Sequence, residues 1–164
     1  MTPIPTGRLR RTADGSELVL SRTFKAPIED VWASVTEPER TARWFGPWEG
    51  EPGAGNVIKT RMLFEEGEPW MEMRIEACEP PERLLLSADD ESGGRWELEA
   101  RLAEADGVTV LELIHHRIRD EMLGSMGPGW EYYLDMLVAS REDTPRPAFE
   151  DYYPAQKDYF DGLA

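Results

Sequence analysis

SRTFKAPIEDVWASVTEPERTARWFGP occupies residues 21–47, and its punctuation decides the fold. An extended segment, Ser21 to Phe24, stops at Ala26-Pro27. Pro27 suits a first helical position, where its missing N–H would have no partner anyway. Ile28, Val31, Trp32 and Val35 then recur at i, i+3, i+4 and i+7, which is one face of a helix. Thr36 with Glu39 three residues on reads as a capping box, predicting a second helix at once. That helix is expected to end near Trp44, because Gly46-Pro47 cannot continue it. The stretch is therefore a strand feeding two short helices.

Upstream, residues 8–12 and 17–24 flank Ala13-Asp14-Gly15-Ser16. Asp-Gly supplies the backbone of a tight hairpin turn, so a β-hairpin is expected, with Leu18, Leu20, Arg22 and Phe24 on one face. Downstream, residues 48–118 change to period two. Residues 57–66 alternate Ile58, Thr60, Met62 and Phe64 against Lys59 and Arg61. Residues 70–78 alternate Met71, Met73, Ile75 and Ala77 against Glu72, Arg74 and Glu76. Residues 95–102 set Trp96, Leu98, Ala100 and Leu102 opposite Glu97, Glu99 and Arg101. Residues 108–118 turn Leu111, Leu113 and His115 inward if Glu112 is solvated. Gly67, Pro80-Pro81, Gly93-Gly94 and Asp106-Gly107 punctuate the runs. This is an antiparallel meander with one buried and one wet face, on which Glu72, Glu97, Glu99 and Glu112 lie outward. Trp130, Tyr133, Leu134, Leu137 and Val138 then repeat at helical spacing over 129–143. Gly127-Pro128-Gly129 marks the start of this helix or a kink, and 119–127 reads as a loop or a short helix. A twisted sheet with one apolar face must cover it, and the long helix can do so.

The bulk numbers agree with one domain. The chain has 164 residues, 40% of them hydrophobic, and a net charge of −15. Such a surface repels phosphate backbones and anionic membranes, so no nucleic-acid partner is expected. No run approaches 18 apolar residues, so no membrane insertion is expected, and MTPIPTGRLRR has no apolar signal core. A cytoplasmic protein is the expectation. The single cysteine, Cys78, cannot staple a domain, and no Cys/His spacing suggests zinc.

The ordered set of motifs points further. Ala26-Pro27, Val31-Trp32, Glu37-Pro38-Glu39, Trp44-Phe45-x-Pro47, Pro80-Pro81-x-x-Leu84, VLELIHH (110–116) and Gly129-Trp130 together resemble the START-like, helix-grip superfamily (SRPBCC, Bet v 1-like). The branch they resemble is the homologue family of the heat-shock protein 90 ATPase activator, over about residues 8–141. The resemblance implies an α+β helix-grip fold: a curved antiparallel sheet wrapped around a long C-terminal helix, with two short helices after the first long strand. It implies a single START-like domain over 1–164. The tail, 142–164, carries Phe149, Tyr152, Tyr153, Tyr159 and Phe160 and is expected to dock on the body, with Pro154 opening a short helix to about Gly162. Superfamily members bind lipids, sterols, polyketides and plant hormones, and a few are cyclases or hydrolases. The eukaryotic activator carries a second, chaperone-docking domain that these residues do not match.

The resemblance also implies a cavity under the long helix. Met62, Phe64, Met71, Met73, Trp96 and Leu98 are expected to face it from the sheet, joined by Leu113. Trp130, Tyr133, Leu134 and Leu137 should face it from the helix. Methionines make such walls adaptable. Thr60, His115 and Tyr133 could orient a ligand by hydrogen bonding. Trp44 should close one end, with Phe45 nearer the rim and Trp48 beginning the sheet. His115 and His116 are adjacent on a strand and so face opposite ways. His115 is the one candidate general base.

Other clusters read as structure. Glu65-Glu66, Glu68 and Asp89-Asp90-Glu91 sit at turns without calcium-loop spacing. Ser125 lacks the glycine of a nucleophile elbow, and Gly53-Ala54-Gly55 leads into a strand, unlike a phosphate loop. No metal and no cofactor is expected. The function expected is non-catalytic binding of a small, largely apolar molecule of lipid or polyketide type. The alternatives are a chaperone-associated interaction module and a cyclase- or hydrolase-type enzyme using His115. A homodimer through the exposed sheet or tail is compatible with either.

Overall fold

The computed structural model describes residues 3–89 and 94–164. Eight strands form one antiparallel sheet: β1 (Arg8–Thr12), β2 (Gly15–Phe24), β3 (Trp48–Glu49), β4 (Val57–Arg61), β5 (Trp70–Glu79), β6 (Arg83–Asp89), β7 (Arg95–Ala105) and β8 (Val108–His116). Their spatial order is β1-β2-β8-β7-β6-β5-β4-β3. Between β2 and β3 come α1 (Ile28–Thr36) and α2 (Pro38–Thr41); after β8 comes α3 (Leu123–Glu142), and α4 (Lys157–Asp161) ends the chain. This is the helix-grip fold, a curved sheet with the long α3 on its concave face.

Alternation explains which face is which. In β2, Leu18, Leu20 and Phe24 face α3 and are buried. Arg22 shares that face and is paired: its guanidinium donates to Glu131 and Asp135 of α3, each at 2.9 Å. Glu131 also accepts the Gly7 N–H at 3.0 Å, the Thr6 hydroxyl at 2.7 Å and the Thr6 N–H. One buried carboxylate thus ties the N-terminal segment, β2 and α3 together, with its lone pairs filled, as burial of a charge requires.

Several local expectations need correction. Thr36 does not cap α2. It is the last residue of α1, and its hydroxyl donates back to the Trp32 carbonyl at 2.7 Å. Glu37 takes the N-cap position without a side-chain bond, and Pro38 opens a single turn that ends at Thr41. Trp44 and Phe45 therefore lie in the turn beyond the helix. The strand at 57–66 stops at Arg61, because Met62 turns its N–H to the Pro69 carbonyl. A bulge between Ile75 and Ala77 reverses the alternation in β5: Ala77 pairs with Leu85, and Cys78 takes the inward face opposite Leu84. β6 is a whole strand that consecutive leucines hide, since a run without period two gives no face. α3 begins at Leu123, six residues ahead of Gly129, with Pro128 inside it.

Glu99 points to the convex face, as expected, but it is 1% exposed. It accepts from Arg83 at 2.6 Å, Arg101 at 2.7 Å and His116 at 2.6 Å. The other ring nitrogen of His116 lies 3.2 Å from Glu17. A layer of paired charges thus covers Val19 and Ile114, which are fully buried on the face expected to be wet.

The tail packs on the body. Phe160 and Tyr152 are buried, and the Tyr152 hydroxyl donates to Asp135 at 2.7 Å. The helix expected from Pro154 begins at Lys157. Residues 90–93, where Asp90, Glu91 and Gly93 were expected to form a turn, lie outside the described residues.

Candidate functional site

The concave face does not close completely on α3. A cavity of about 160 Å³ lies between the middle strands, the α1–α2 corner and one face of α3. Its floor comes from alternate residues of five strands: Ile58 and Thr60 of β4, Met73, Ile75 and Cys78 of β5, Leu84 and Leu86 of β6, Leu98 and Ala100 of β7, and Leu111 and Leu113 of β8. Its roof is Trp130, Tyr133 and Leu134, at i, i+3 and i+4 on α3. The corner after α2 closes one end with Trp44, Phe45 and Gly46, beside Val35, Thr36, Thr41 and Trp48. Pro52 and Gly53 complete the wall, and exposed Pro52 marks the end nearest solvent.

The corner is built by hydrogen bonds. The Trp44 indole donates to the Ser34 carbonyl at 2.9 Å, and the Trp48 indole to the Thr36 carbonyl at 2.8 Å. Both carbonyls belong to the last turn of α1, where intrahelical partners run out. The Thr41 hydroxyl donates to the Gly46 carbonyl at 2.7 Å. Gly46 passes so close to β4 that a Cβ there would lie 1.7 Å from the Arg61 carbonyl oxygen. The rings then meet at a tilt: Trp44 and Phe45 have centroids 5.7 Å apart, and Phe45 and Tyr133 4.9 Å apart.

Of the residues anticipated for the pocket, Trp44, Phe45, Thr60, Met73, Leu98, Leu113, Trp130, Tyr133 and Leu134 are brought together at this cavity. Six are placed elsewhere. Met62 and Phe64 sit in the turn after β4, where the Phe64 ring carries the Arg146 guanidinium at 5.0 Å. Met71 and Trp96 are partly buried against the cluster of Ile58, Met73, Ile75 and Ala88 but do not line the cavity. Leu137 is fully buried one turn beyond the wall. His115 faces inward but behind Trp130, whose indole donates to its Nδ1 at 3.1 Å. Burial, and secondarily His116, lowers the His115 pKa to about 4, so its ring is neutral near pH 7. Val35, Trp48, Ile58, Ile75, Leu84, Leu86 and Leu111 were not anticipated as wall residues. Period two does signal Ile58 and Ile75, and helical period signals Val35.

The wall carries no acidic or basic side chain. The Tyr133 hydroxyl donates to Glu65 at 2.6 Å, and burial together with that carboxylate raises its pKa, so the phenol stays neutral. Thr60 is 4% exposed, and its hydroxyl has no hydrogen-bond partner among the described residues. Burial also raises the Cys78 thiol pKa, which leaves it a weak nucleophile. Among the described residues no cluster of three or more His, Cys, Asp or Glu could hold a metal ion. No described helix is long and apolar enough to cross a membrane.

Comparison with known proteins agrees with this architecture. The family described as "Activator of Hsp90 ATPase homolog 1-like protein" matches residues 25–141. Among solved structures, CalU16 from Micromonospora echinospora is 27% identical, with a TM-score of 0.77 over 98% of this chain and 96% of that one. DynU16, from the dynemicin biosynthetic locus, is 19% identical, with a TM-score of 0.67 over 84% of this chain and 50% of its own. The Aha1 dimer from Colwellia psychrerythraea is 15% identical, with a TM-score of 0.64 over 76% of this chain and 94% of that one. No curated protein matches the sequence.

Proposed function

Because the chain belongs to the Activator of Hsp90 ATPase homolog 1-like protein family, whose sheet and long helix enclose space in this member, we propose that it binds a small, largely apolar molecule in the cavity without transforming it. One observation carries this reading. Leu84, Leu86, Leu98 and Leu113 sit mid-sheet under the long helix, where a filled core would bury them, yet they are only half-buried. They face unfilled space. At roughly 24 cal/mol per Å³, leaving 160 Å³ dry and empty costs on the order of 4 kcal/mol, which a bound apolar molecule would offset. The absence of acids and bases from the wall supports binding over acid–base chemistry, as does the place of His115 behind Trp130.

The test is native mass spectrometry and solvent extraction of the purified protein, followed by thermal melts with candidate lipophiles. A bound lipophile is expected, and a ligand at about 100 times its Kd should stabilise by about 2.7 kcal/mol. Ala100→Leu, which adds bulk to the wall, should abolish that shift while the empty protein melts no lower. A protein that carries nothing and answers to no apolar molecule would rule the reading out.

A further inference from the structure

We infer that the occupant is a compact, planar, uncharged aromatic molecule of one or two rings bearing one hydrogen-bonding oxygen, and not an extended acyl chain; this rests on the binding reading above. Size sets the first limit. The cavity holds about 160 Å³, whereas a cavity of about 150 Å³ lined by aliphatics and phenylalanine takes benzene, and pockets for drug-sized ligands start at roughly 300 Å³. A long acyl chain has no room to lie inside.

Shape sets the second. The two sides of the cavity differ. From the corner after α2 to the helix, Trp44, Phe45 and Tyr133 form a continuous run of rings, tilted to one another by 50° and 59°. On the sheet side Ile75, Leu86 and Leu98 present branched aliphatics from three adjacent strands. A flat ring slotted between them gains edge-to-face contacts on one side and dispersion contacts on the other, which a flexible chain cannot match per unit volume.

Polarity sets the third. An ionised group would meet no counter-charge in the wall and would remain desolvated and unpaired. A net charge of −15 further disfavours carboxylates. Most polar atoms of the wall are already committed. The indoles of Trp44 and Trp48 bond to carbonyls of α1, the hydroxyls of Thr36 and Thr41 to nearby carbonyls, and Tyr133 to Glu65. The Thr60 hydroxyl remains. Thr60 is 4% exposed and lines the cavity, its hydroxyl has no hydrogen-bond partner among the described residues, and it can both donate and accept. It assigns the ligand one oxygen, a phenol or an aryl carbonyl, at the β4 end of the cavity.

The experiment is isothermal titration of the wild-type protein and of Thr60→Val and Thr60→Ser with 2-naphthol, naphthalene and 1-decanol. In the wild type, 2-naphthol should bind about 3- to 10-fold more tightly than naphthalene, the worth of one net hydrogen bond, and decanol more weakly than either. Thr60→Val should remove that advantage without weakening naphthalene, and Thr60→Ser should restore it. The inference falls, with the binding reading intact, if decanol binds as tightly as 2-naphthol or if Thr60→Val weakens both aromatics equally. If no probe binds and the purified protein carries no lipophile, the binding reading fails and takes this inference with it.

Discussion

The indole Nε1–H of Trp130 donates to Nδ1 of His115 over 3.1 Å, with both side chains buried. The bond places the imidazole proton on Nε2 and occupies the nitrogen that would otherwise accept one. The unfolded chain binds a proton at this residue near the ordinary pKa of 6.5, the folded protein only near 4. Between those values the unfolded state holds more protons, so stability is full above about pH 6.5 and is lost as pH falls toward 4. The loss should be on the order of 3 kcal/mol. Denaturant melts from pH 7.5 to 4 should show it, and His115→Asn, which keeps an acceptor for the indole, should flatten the slope. An unchanged slope in that variant would reassign the effect to other groups.

Glu99 titrates in a lower window. Burial alone would raise its pKa, but hydrogen bonds from Arg101, Arg83 and His116 outweigh it and hold the carboxyl at about 2. Its stabilisation is therefore complete above about pH 4.5 and is lost as pH falls through 2. Its arginine partners are partly exposed, so water screens part of the interaction, and the contribution should be about 2 kcal/mol. Glu99→Gln should lower stability at pH 7 by that order and remove acid sensitivity below pH 4.5 while leaving the His115 window intact. Equal losses at pH 7 and pH 2.5 would contradict this.

How far these residues could be read beforehand depended on whether the cause was local. Trp130, Tyr133 and Leu134 follow from helical period, and Thr60, Met73 and Leu98 from period two. Met62 and Phe64 continue the same alternation, but the chain leaves the sheet at Arg61, where the Met62 N–H is taken by the Pro69 carbonyl. The inward turn of Cys78 depends on a one-residue bulge that composition does not mark. Leu84 and Leu86 hide in an unbroken leucine run whose facing is set only by pairing with β5 and β7. Glu99 is buried because Arg83, sixteen residues away on the next strand, reaches over it. Thr36 and Glu39 match a capping box, yet Pro38 at the first helical position lets α2 start from Glu37 instead.

Phe160 anchors the tail beside Tyr152. Phe160 is fully buried, and a Cβ on Gly127 of α3 would come within 2.3 Å of it, so the phenyl lies directly on the helix backbone. Phe160→Ala should cost about 3–5 kcal/mol if α4 unfolds with the body, and less if only the tail lifts. Limited proteolysis separates the two: cleavage should appear between residues 143 and 156 while the sheet stays protected. A variant that melts cooperatively with no early cleavage would show that tail and body unfold as one unit.

Gly46 tests the corner that carries Trp44 and Phe45. A Cβ at this position would lie 1.7 Å from the Arg61 carbonyl oxygen and 2.8 Å from its carbon. Both atoms are backbone, so no side-chain rotation relieves the clash. The position is also held from both sides: the Gly46 N–H donates to the Thr41 carbonyl at 2.8 Å, and the Arg61 N–H donates to the Pro47 carbonyl at 3.0 Å. Gly46→Ala must therefore pull the corner off β4, at a cost of about 3 kcal/mol, the upper end of overpacking. Because that corner holds two aromatic wall residues, ligand affinity should fall by more than lost stability explains. Gly129→Ala is the control: it lies inside α3 with nothing within 4 Å of its Cβ position, so it should stabilise by about 0.5–1 kcal/mol and leave binding unchanged. Thermal melts and titrations of the pair decide the point, and a Gly46→Ala protein as stable as wild type would mean that the contact between corner and strand does not exist in solution.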